Sequence, residues 1–195
     1  MIDAFKKTAE AITLHGLGFL QLQLPANQRL HIWHPELPRR RCFANSAIHN
    51  HRFSFDSLVL IGTQVNVRYA VDRYSAAKTH ALYLHEGERT KYGNRPWTPD
   101  GEAFIRFQAT DVVSPGQRYS MAAYDFHSTS PSGDGKVATL MTKLSEGDTG
   151  AHSTCILGIT PDVDFDRKQW SEAQLWEIVR EVLGVSAEAP IAAAA

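Results

Sequence analysis

The spacing of apolar residues changes its period twice along the chain. Over residues 3–14 apolar side chains recur at helical spacing between charged ones, and this pattern predicts an N-terminal helix. Between about residues 17 and 160 apolar and polar residues alternate instead, which is typical of strands. The helical period then returns in a segment with Ser171 as its N-cap and Gly184 as its end.

The longest alternating run covers residues 57–71 and contains Gly62 in its middle. It predicts either one half-buried strand or a bent pair of strands, with the glycine at the bend. Shorter runs that also predict strands are 18–24, 29–33, 80–85, 103–108, 117–121, 137–143 and 154–159. Many short strands with few helices favour a mainly β fold, an antiparallel barrel or sandwich with flanking N- and C-terminal helices.

These patterns predict four consecutive parts. A helix in residues 1–16 packs on a β-barrel formed by residues 17–160, a helical segment follows in residues 161–186, and residues 187–195 form a flexible tail. Within the barrel region, residues 86–101 are rich in glycine and proline and predict a loop. This loop is either a lid or dimer contact, or an ordinary surface excursion.

Composition narrows the class of protein without naming a reaction. The chain has 195 residues, a length typical of one domain, with 20 Lys and Arg against 21 Asp and Glu. This balance predicts no partnership with nucleic acid. No apolar run is long enough to cross a bilayer, and no signal-peptide pattern follows the N-terminus, so we expect a cytoplasmic protein. Cys42 and Cys155 are too few and too far apart for a disulfide framework.

Two histidines separated by one residue carry the first chemical signal. On a strand, His49 and His51 would point to the same face, and that face continues through Phe53 and Phe55. Burying two imidazoles in apolar surroundings without a partner is costly, and a shared metal ion would remove that cost. A third histidine, His127, ends a later segment and is the candidate third ligand.

The spacing of these residues resembles the two sequence motifs of the cupin superfamily, small β-barrels of two antiparallel sheets. The first motif, G(X)5HXH(X)3,4E(X)6G, is matched by His49, His51 and Gly62. The second, G(X)5PXG(X)2H(X)3N, is matched by Gly116 and His127. The chain departs from the motifs at the remaining positions, which hold Phe43, Phe55, Ala122, Tyr124 and Pro131.

The resemblance implies a cupin jelly roll that holds one divalent transition metal on His49, His51 and His127. Among cupins with three histidine ligands, the thiol dioxygenases bind Fe(II) and use an arginine and a tyrosine near the metal. The resemblance therefore implies a metal-dependent oxidoreductase, an Fe(II) dioxygenase acting on a small-molecule substrate, and by default a homodimer. Tyr124 is the candidate catalytic residue, and the candidate substrate-binding residues are Arg52, Phe55 and Tyr119.

Several alternatives stay open at this point. Asp56 is a fourth metal ligand if the strand bulges, and points outward if the strand is regular. With Zn, Mn or Ni the same site would serve a redox-neutral isomerase, lyase or hydrolase, and a cupin can also be a non-catalytic ligand-binding module. Three consecutive arginines at 39–41 are either a solvated turn or an anion clamp. His80 and His85 have opposite parity and are interpreted as structural.

Overall fold

The computed structural model describes residues 2–44, 46–162 and 165–184, so the predicted flexible tail at 187–195 lies outside the described residues. Within these ranges, helices α1 (Ile2–Thr8) and α2 (Glu172–Gly184) flank a series of strands. The strands are β1 (Ala11–His15), β2 (Phe19–Leu24), β3 (Gln28–Trp33), β4 (Phe53–Ile61), β5 (Gln64–Asp72), β6 (His80–His85), β7 (Trp97–Val113), β8 (Arg118–Met121), β9 (Phe126–Pro131), β10 (Val137–Glu146) and β11 (Ala151–Ile156).

The strands form two sheets. The first has the order β1-β2-β3-β10-β4-β8 and the second has the order β11-β6-β7-β5-β9. Every strand pair in the two sheets is antiparallel. The predicted mainly β architecture with flanking helices is confirmed at the level of these two antiparallel sheets.

A short extended segment, residues 48–50, hydrogen-bonds to both edge strands of the second sheet. His49 exchanges main-chain hydrogen bonds with His127 on β9, at 2.9 Å in each direction. On its other side, the Asn50 N–H donates to the carbonyl of His152 at 2.9 Å, and the Thr154 N–H donates to that of Ile48 at 3.0 Å. This segment therefore links the two edges of the sheet, and His49 lies at the link.

The N-terminal helix is shorter than the sequence pattern predicts. It ends at Thr8, and residues Ala11–His15 form an edge strand that pairs with β2 in regular antiparallel register. The β-branched pair Ile12 and Thr13 favours a strand, and sheet pairing outweighs the weak helical periodicity there. Gly18, with a φ of 87°, shapes the turn between β1 and β2.

The long alternating run proves to be a hairpin. β4 ends at Ile61 and β5 begins at Gln64, so the bent-pair interpretation is confirmed. Gly62 has a φ of 68°, in the left-handed region that favours glycine. Alternation along β4 also holds, because Phe53, Phe55 and Val59 are all buried.

The largest apolar cluster packs α2 against the first sheet. The apolar side chains of α2, which recur at helical spacing, are buried there against apolar side chains of β1, β2 and β3. Ser171 caps the helix as predicted, with its Oγ accepting from the N–H of Gln174 at 3.4 Å. Among the described residues, no helix has the length and apolar character needed to cross a membrane.

Candidate metal centre

His49 and His51 lie in the extended segment that leads into β4, and His127 lies on β9. The sequence pattern predicted His49 and His51 on a strand, whereas both lie just before β4 begins. Main-chain pairing between His49 and His127 brings the two chain segments together. The intervening Asn50 is tied to β11, since its Oδ1 accepts the N–H of His152 at 2.6 Å. Backbone pairing on both sides therefore fixes where the histidine side chains begin.

The three imidazoles converge. One ring nitrogen from each of His49, His51 and His127 lies within 4.8 Å of the others. The ring centroid of His49 is 4.9 Å from that of His51 and 4.6 Å from that of His127, and the centroids of His51 and His127 are 5.1 Å apart. Nitrogens around one ion lie roughly 3 to 3.5 Å apart, so small ring rotations bring this group to coordinating distance. The group can hold a metal ion.

Hydrogen bonds to main-chain carbonyls orient two of the three rings. The Nδ1 of His49 lies 2.9 Å from the oxygen of Ala47, and the Nδ1 of His127 lies 3.3 Å from the oxygen of Asp125. A carbonyl oxygen only accepts, so each Nδ1 carries the proton. Each Nε2 then keeps its lone pair for a ligand, which is the arrangement that second-shell carbonyls impose on metal-binding histidines.

Burial keeps the three rings neutral at neutral pH. It lowers the pKa of His49 below its ordinary value, against the opposing effect of the hydrogen bond to Ala47. Burial, and then repulsion from neighbouring histidines, lowers the pKa of His51 and His127 well below the usual range. Neutral imidazole is the form that binds metal, so the donor set fits a divalent transition ion.

The histidines face a cavity of two adjoining chambers, about 200 Å³ and 130 Å³ in volume. We call these the first and second chamber. His127 lines the second, and the residues that line both are His15, Leu17, His49, His51, Arg89 and Arg167. The candidate metal site is therefore reachable by a small molecule rather than enclosed in solid core.

Two predicted substrate-binding residues line the second chamber. Phe55 lies beside the metal ligands, with its ring centroid 5.4 Å from that of His51. Tyr119 is partly buried, its hydroxyl accepts a hydrogen bond from the Gln64 amide at 2.5 Å, and burial raises its pKa. Both side chains are therefore placed where a molecule in the chamber would touch them.

Tyr124 and Arg52, predicted as catalytic and substrate-binding, line neither chamber. The Tyr124 hydroxyl donates to the carbonyl of Thr149 and accepts from its N–H, both at 3.1 Å, and the residue lines neither chamber. Its φ of 67° is unusual for a residue with a side chain. Arg52 pairs with Glu146 at 2.5 Å and is also outside both chambers. Tyr124 fixes a loop, and Arg52 joins a surface ion pair.

Asp56 lies outside the group of three histidines. β4 runs regularly through this position, so Asp56 has the parity opposite to that of Phe55. Its Oδ1 accepts a hydrogen bond from the Ser120 hydroxyl on β8 at 2.5 Å. The outward alternative therefore holds, and the structure gives no support for Asp56 as a fourth ligand.

Most of the basic residues that line the cavity carry no signal in the sequence. Besides Arg40 in the arginine run at 39–41, the chambers are lined by side chains from four further segments, namely His15, Arg29, His31, Arg89, Arg95 and Arg167. Arg40 is 5% exposed, so the solvated-turn interpretation is wrong for that residue. No motif or periodicity links positions so far apart, and the arginine run was the single available hint.

His85, interpreted as structural, also lines the first chamber. Its Nε2 lies 2.8 Å from the hydroxyl of Ser153. Burial, and then repulsion by Arg40, lowers the pKa of His85 to about 3. His80 is separate, bonded to the neighbouring Thr79 and outside both chambers. The prediction that these two histidines do not converge agrees with these positions.

A scan against models of known protein families finds no match to this chain. A comparison with curated proteins also finds none. Neither comparison therefore assigns a family or an activity. The features that bear on function are the two sheets, the three histidines and the cavity that they face.

Proposed function

We propose that this chain is a metal-dependent cupin enzyme acting on a small molecule, and specifically an Fe(II) dioxygenase. The observation that carries the proposal is the buried group of His49, His51 and His127 at the wall of a cavity. Closed structural metal sites use four protein ligands, whereas catalytic sites keep a position open. Three ligands facing a cavity are the catalytic pattern, and imidazole suits iron among other transition metals.

The sheet arrangement supports the cupin assignment. Two antiparallel sheets carry the two motifs, with the HXH pair directly before β4 and His127 on β9. The glycine positions of the motifs also match in backbone geometry. Gly62 and Gly116 have positive φ angles of 68° and 83°, and Tyr124, at a motif glycine position, has a φ of 67°. A backbone that needs glycine there explains why the motifs contain glycine at these positions.

The side chains around the histidines have clear tasks in such an enzyme. A bound Fe(II) would supply activation of dioxygen. Phe53, Phe55 and two methionines form an apolar cluster next to the ligands, which limits access of water. The Tyr119 hydroxyl is held by Gln64 at the wall of the same chamber, where it can donate to a bound molecule. Three neutral ligands leave the charge of the ion uncompensated, which favours an anionic substrate.

A second candidate function uses the same residues without oxygen. Zinc also takes three histidines and a water, and the group of ligands contains no carboxylate among the described residues. With zinc, manganese or nickel, the site would polarise a carbonyl or activate water in an isomerase, lyase or hydrolase. A non-catalytic ligand-binding cupin is the third alternative, and it would not need an exchangeable position on the metal.

Metal analysis of anaerobically prepared full-length protein tests the proposal. Wild type, His49→Ala/His51→Ala and His127→Ala are compared by mass spectrometry, with His80→Ala as the matched control because His80 lies outside the cavity. We expect one equivalent of iron in wild type and in the control, and loss of most of it in the other two variants. Oxygen uptake with panels of thiols and small acids then tests the dioxygenase activity.

The other outcomes each overturn part of the proposal. Stoichiometric metal retained in His127→Ala would refute the ligand assignment. A redox-inactive metal lost in the same variants, with no oxygen uptake, would replace the dioxygenase with the redox-neutral enzyme. If wild type holds no metal after reconstitution with each ion, the ligand-binding module takes its place.

The cellular setting belongs to the same proposal. We expect a cytoplasmic homodimer that binds a small-molecule substrate, with neither nucleic acid nor membrane as a partner. Light scattering after gel filtration gives the oligomeric state directly. A monomer at all concentrations would refute the dimer and leave the metal site unaffected.

A further inference from the structure

The cavity beside the three histidines is lined by many cations and by no acid. Arg40, Arg89, Arg95 and Arg167 line the first chamber, and Arg29 joins two of them in the second. Among the described residues, neither chamber has an aspartate or glutamate in its lining. The whole chain has a net charge of −1, so this positive charge is local to the cavity and not a property of the surface at large.

Arg167 is held rigidly in this cavity without a neutralising carboxylate. Its Nε donates to the carbonyl of Leu14 at 2.8 Å, and a terminal nitrogen donates to the Thr13 hydroxyl at 3.2 Å. No carboxylate of the described residues lies within 4 Å of its guanidinium. Burial, and then repulsion by Arg89 and Arg29, lowers its pKa to about 10. An anion that enters such a site is bound favourably, because it neutralises a buried charge.

Arg29 presents its guanidinium with all of its donors available. It stacks 5.1 Å from the centre of the Phe53 ring and makes no side-chain hydrogen bond or ion pair with the described residues. Its position on β3 is fixed by main-chain pairing with Met141 on β10. Burial lowers its pKa, repulsion from Arg89 adds to this effect, and attraction to Glu146 opposes it. Arg29 therefore lines the second chamber with its guanidinium packed on Phe53, and its side chain also borders a separate pocket that contains Glu10.

Arg89 lines both chambers and lies near enough to Arg29 and Arg167 for its charge to lower the pKa of each. It donates to the carbonyl of Gly93 at 2.6 Å and has no carboxylate of the described residues within 4 Å. The cavity thus contains Arg29, Arg89 and Arg167, none of which has a carboxylate of the described residues within 4 Å, next to histidine ligands that would leave a divalent ion uncompensated. A single carboxylate would neutralise one of these charges and leave the others.

We propose that the cavity binds a small organic anion with at least two negative charges, either a dicarboxylate or a phosphate ester, with Arg29 and Arg167 as its principal contacts. This inference rests on the proposed function, because it names the substrate class of the same site. Guanidinium groups bind carboxylate and phosphate through paired hydrogen bonds, which fits both chemistries. The small chambers restrict the ligand to the size of a metabolite.

Calorimetric titration of the full-length protein, as purified, tests the inference without measuring turnover. The probes are succinate, glycerol 3-phosphate, acetate and the neutral succinamide. We expect one of the two dianions to bind about tenfold or more tightly than acetate, and succinamide to give no signal. Stronger binding of succinate identifies a dicarboxylate site, and stronger binding of glycerol 3-phosphate identifies a phosphate site.

Three arginine variants assign the binding to the cavity. Arg29→Gln and Arg167→Gln should each weaken dianion binding about tenfold or more. Arg106→Gln is the matched control, because Arg106 is exposed on β7 and lines neither chamber, and it should bind as wild type does. If Arg167→Gln fails to fold, Arg29→Gln decides the question, since the Arg29 guanidinium has no hydrogen bond to the rest of the fold. Equal affinity for acetate and both dianions, or equal weakening in the control, would overturn the inference.

Metal content separates failure of this inference from failure of the proposed function. Protein with one equivalent of metal that binds neither dianion refutes the anion site alone. Protein without metal whose dianion binding is lost in Arg29→Gln refutes the metal enzyme and supports the anion site. The His49→Ala/His51→Ala variant should still bind the dianion through the arginines, more weakly than wild type.

Discussion

Replacing Gly62 with alanine should destabilise the fold far more than the same change at Gly116. Both glycines match cupin motif positions, and both have a positive φ, 68° and 83°. They differ in what a new Cβ would meet. At Gly62 it would lie 2.1 Å from the carbonyl oxygen of Lys136 and 2.9 Å from a methyl group of Val137, whereas at Gly116 nothing lies within 4 Å.

The expected magnitudes follow from these contacts. A left-handed backbone costs a residue with a Cβ about 1 to 2 kcal/mol. Alanine also makes the unfolded chain stiffer than glycine does, which offsets roughly 0.4 to 1 kcal/mol of this cost. Gly116→Ala should therefore lose about 1 kcal/mol of unfolding free energy. At Gly62 the main chain at the start of β10 must also move, which adds about 1 to 3 kcal/mol, so Gly62→Ala should lose roughly 2 to 4 kcal/mol.

Urea unfolding followed by tryptophan fluorescence and circular dichroism measures both losses. The difference between the two variants isolates the clash with β10, because the strain of the positive φ is common to both. Equal losses, within about 0.5 kcal/mol, would refute the close approach of the β4–β5 turn to β10. The turn at Gly62 ends β4, and β4 begins shortly after His49 and His51. The metal content of folded Gly62→Ala protein therefore shows whether these two ligands depend on the turn.

Three further predictions use the same unfolding assay. Tyr124→Phe removes the hydroxyl that binds Thr149 and should lower the free energy of unfolding by about 1 kcal/mol with no loss of metal, whereas loss of metal would support the role near the ligands predicted for Tyr124. Burial, and then nearby arginines, lowers the pKa of His31 and His85 to about 3. Both histidines stay neutral in the fold and gain protons on unfolding. The free energy of unfolding should therefore be highest above about pH 6.5 and fall as the pH drops toward 3, by up to about 1.4 kcal/mol per pH unit for each histidine. An unfolding free energy that does not change between about pH 7 and 5 would contradict this. Ser171→Ala removes the α2 cap and should cost about 1 kcal/mol, and an unchanged urea midpoint would show that the cap contributes nothing.

Local patterns were enough to predict most strands and the C-terminal helix. The runs at 80–85 and 117–121 correspond closely to β6 and β8, because alternation with period two is imposed by burial of one strand face. The prediction was wrong for residues 11–15, where helical spacing was present by chance and pairing with β2 decided the outcome. Part of the loop predicted at 86–101 also extends β7, which begins at Trp97 and pairs with β6.

Some residues of the candidate site could also be predicted from the sequence, and others could not. The sequence by itself determined the histidine pair, because residues two apart on an extended chain share a face whatever the fold. It also indicated His127 and Gly62, through their spacing in the two motifs that the chain resembles. A backbone requirement for positive φ at Gly62 is likewise a local property of its turn.

Only the tertiary structure decided which charges surround the histidines. Arg29 lies on β3 and Arg167 lies between β11 and α2, and nothing in their sequence neighbourhoods links them. Their meeting depends on how the sheets pack and how the chain crosses them, which involves contacts between residues more than a hundred positions apart. Tyr124 shows that closeness in sequence does not place a side chain at the site. It lies only three residues before His127, but its backbone is left-handed and its hydroxyl is bound to Thr149, away from both chambers. Sequence spacing determines which side chains share a strand face, whereas packing between sheets determines which faces meet.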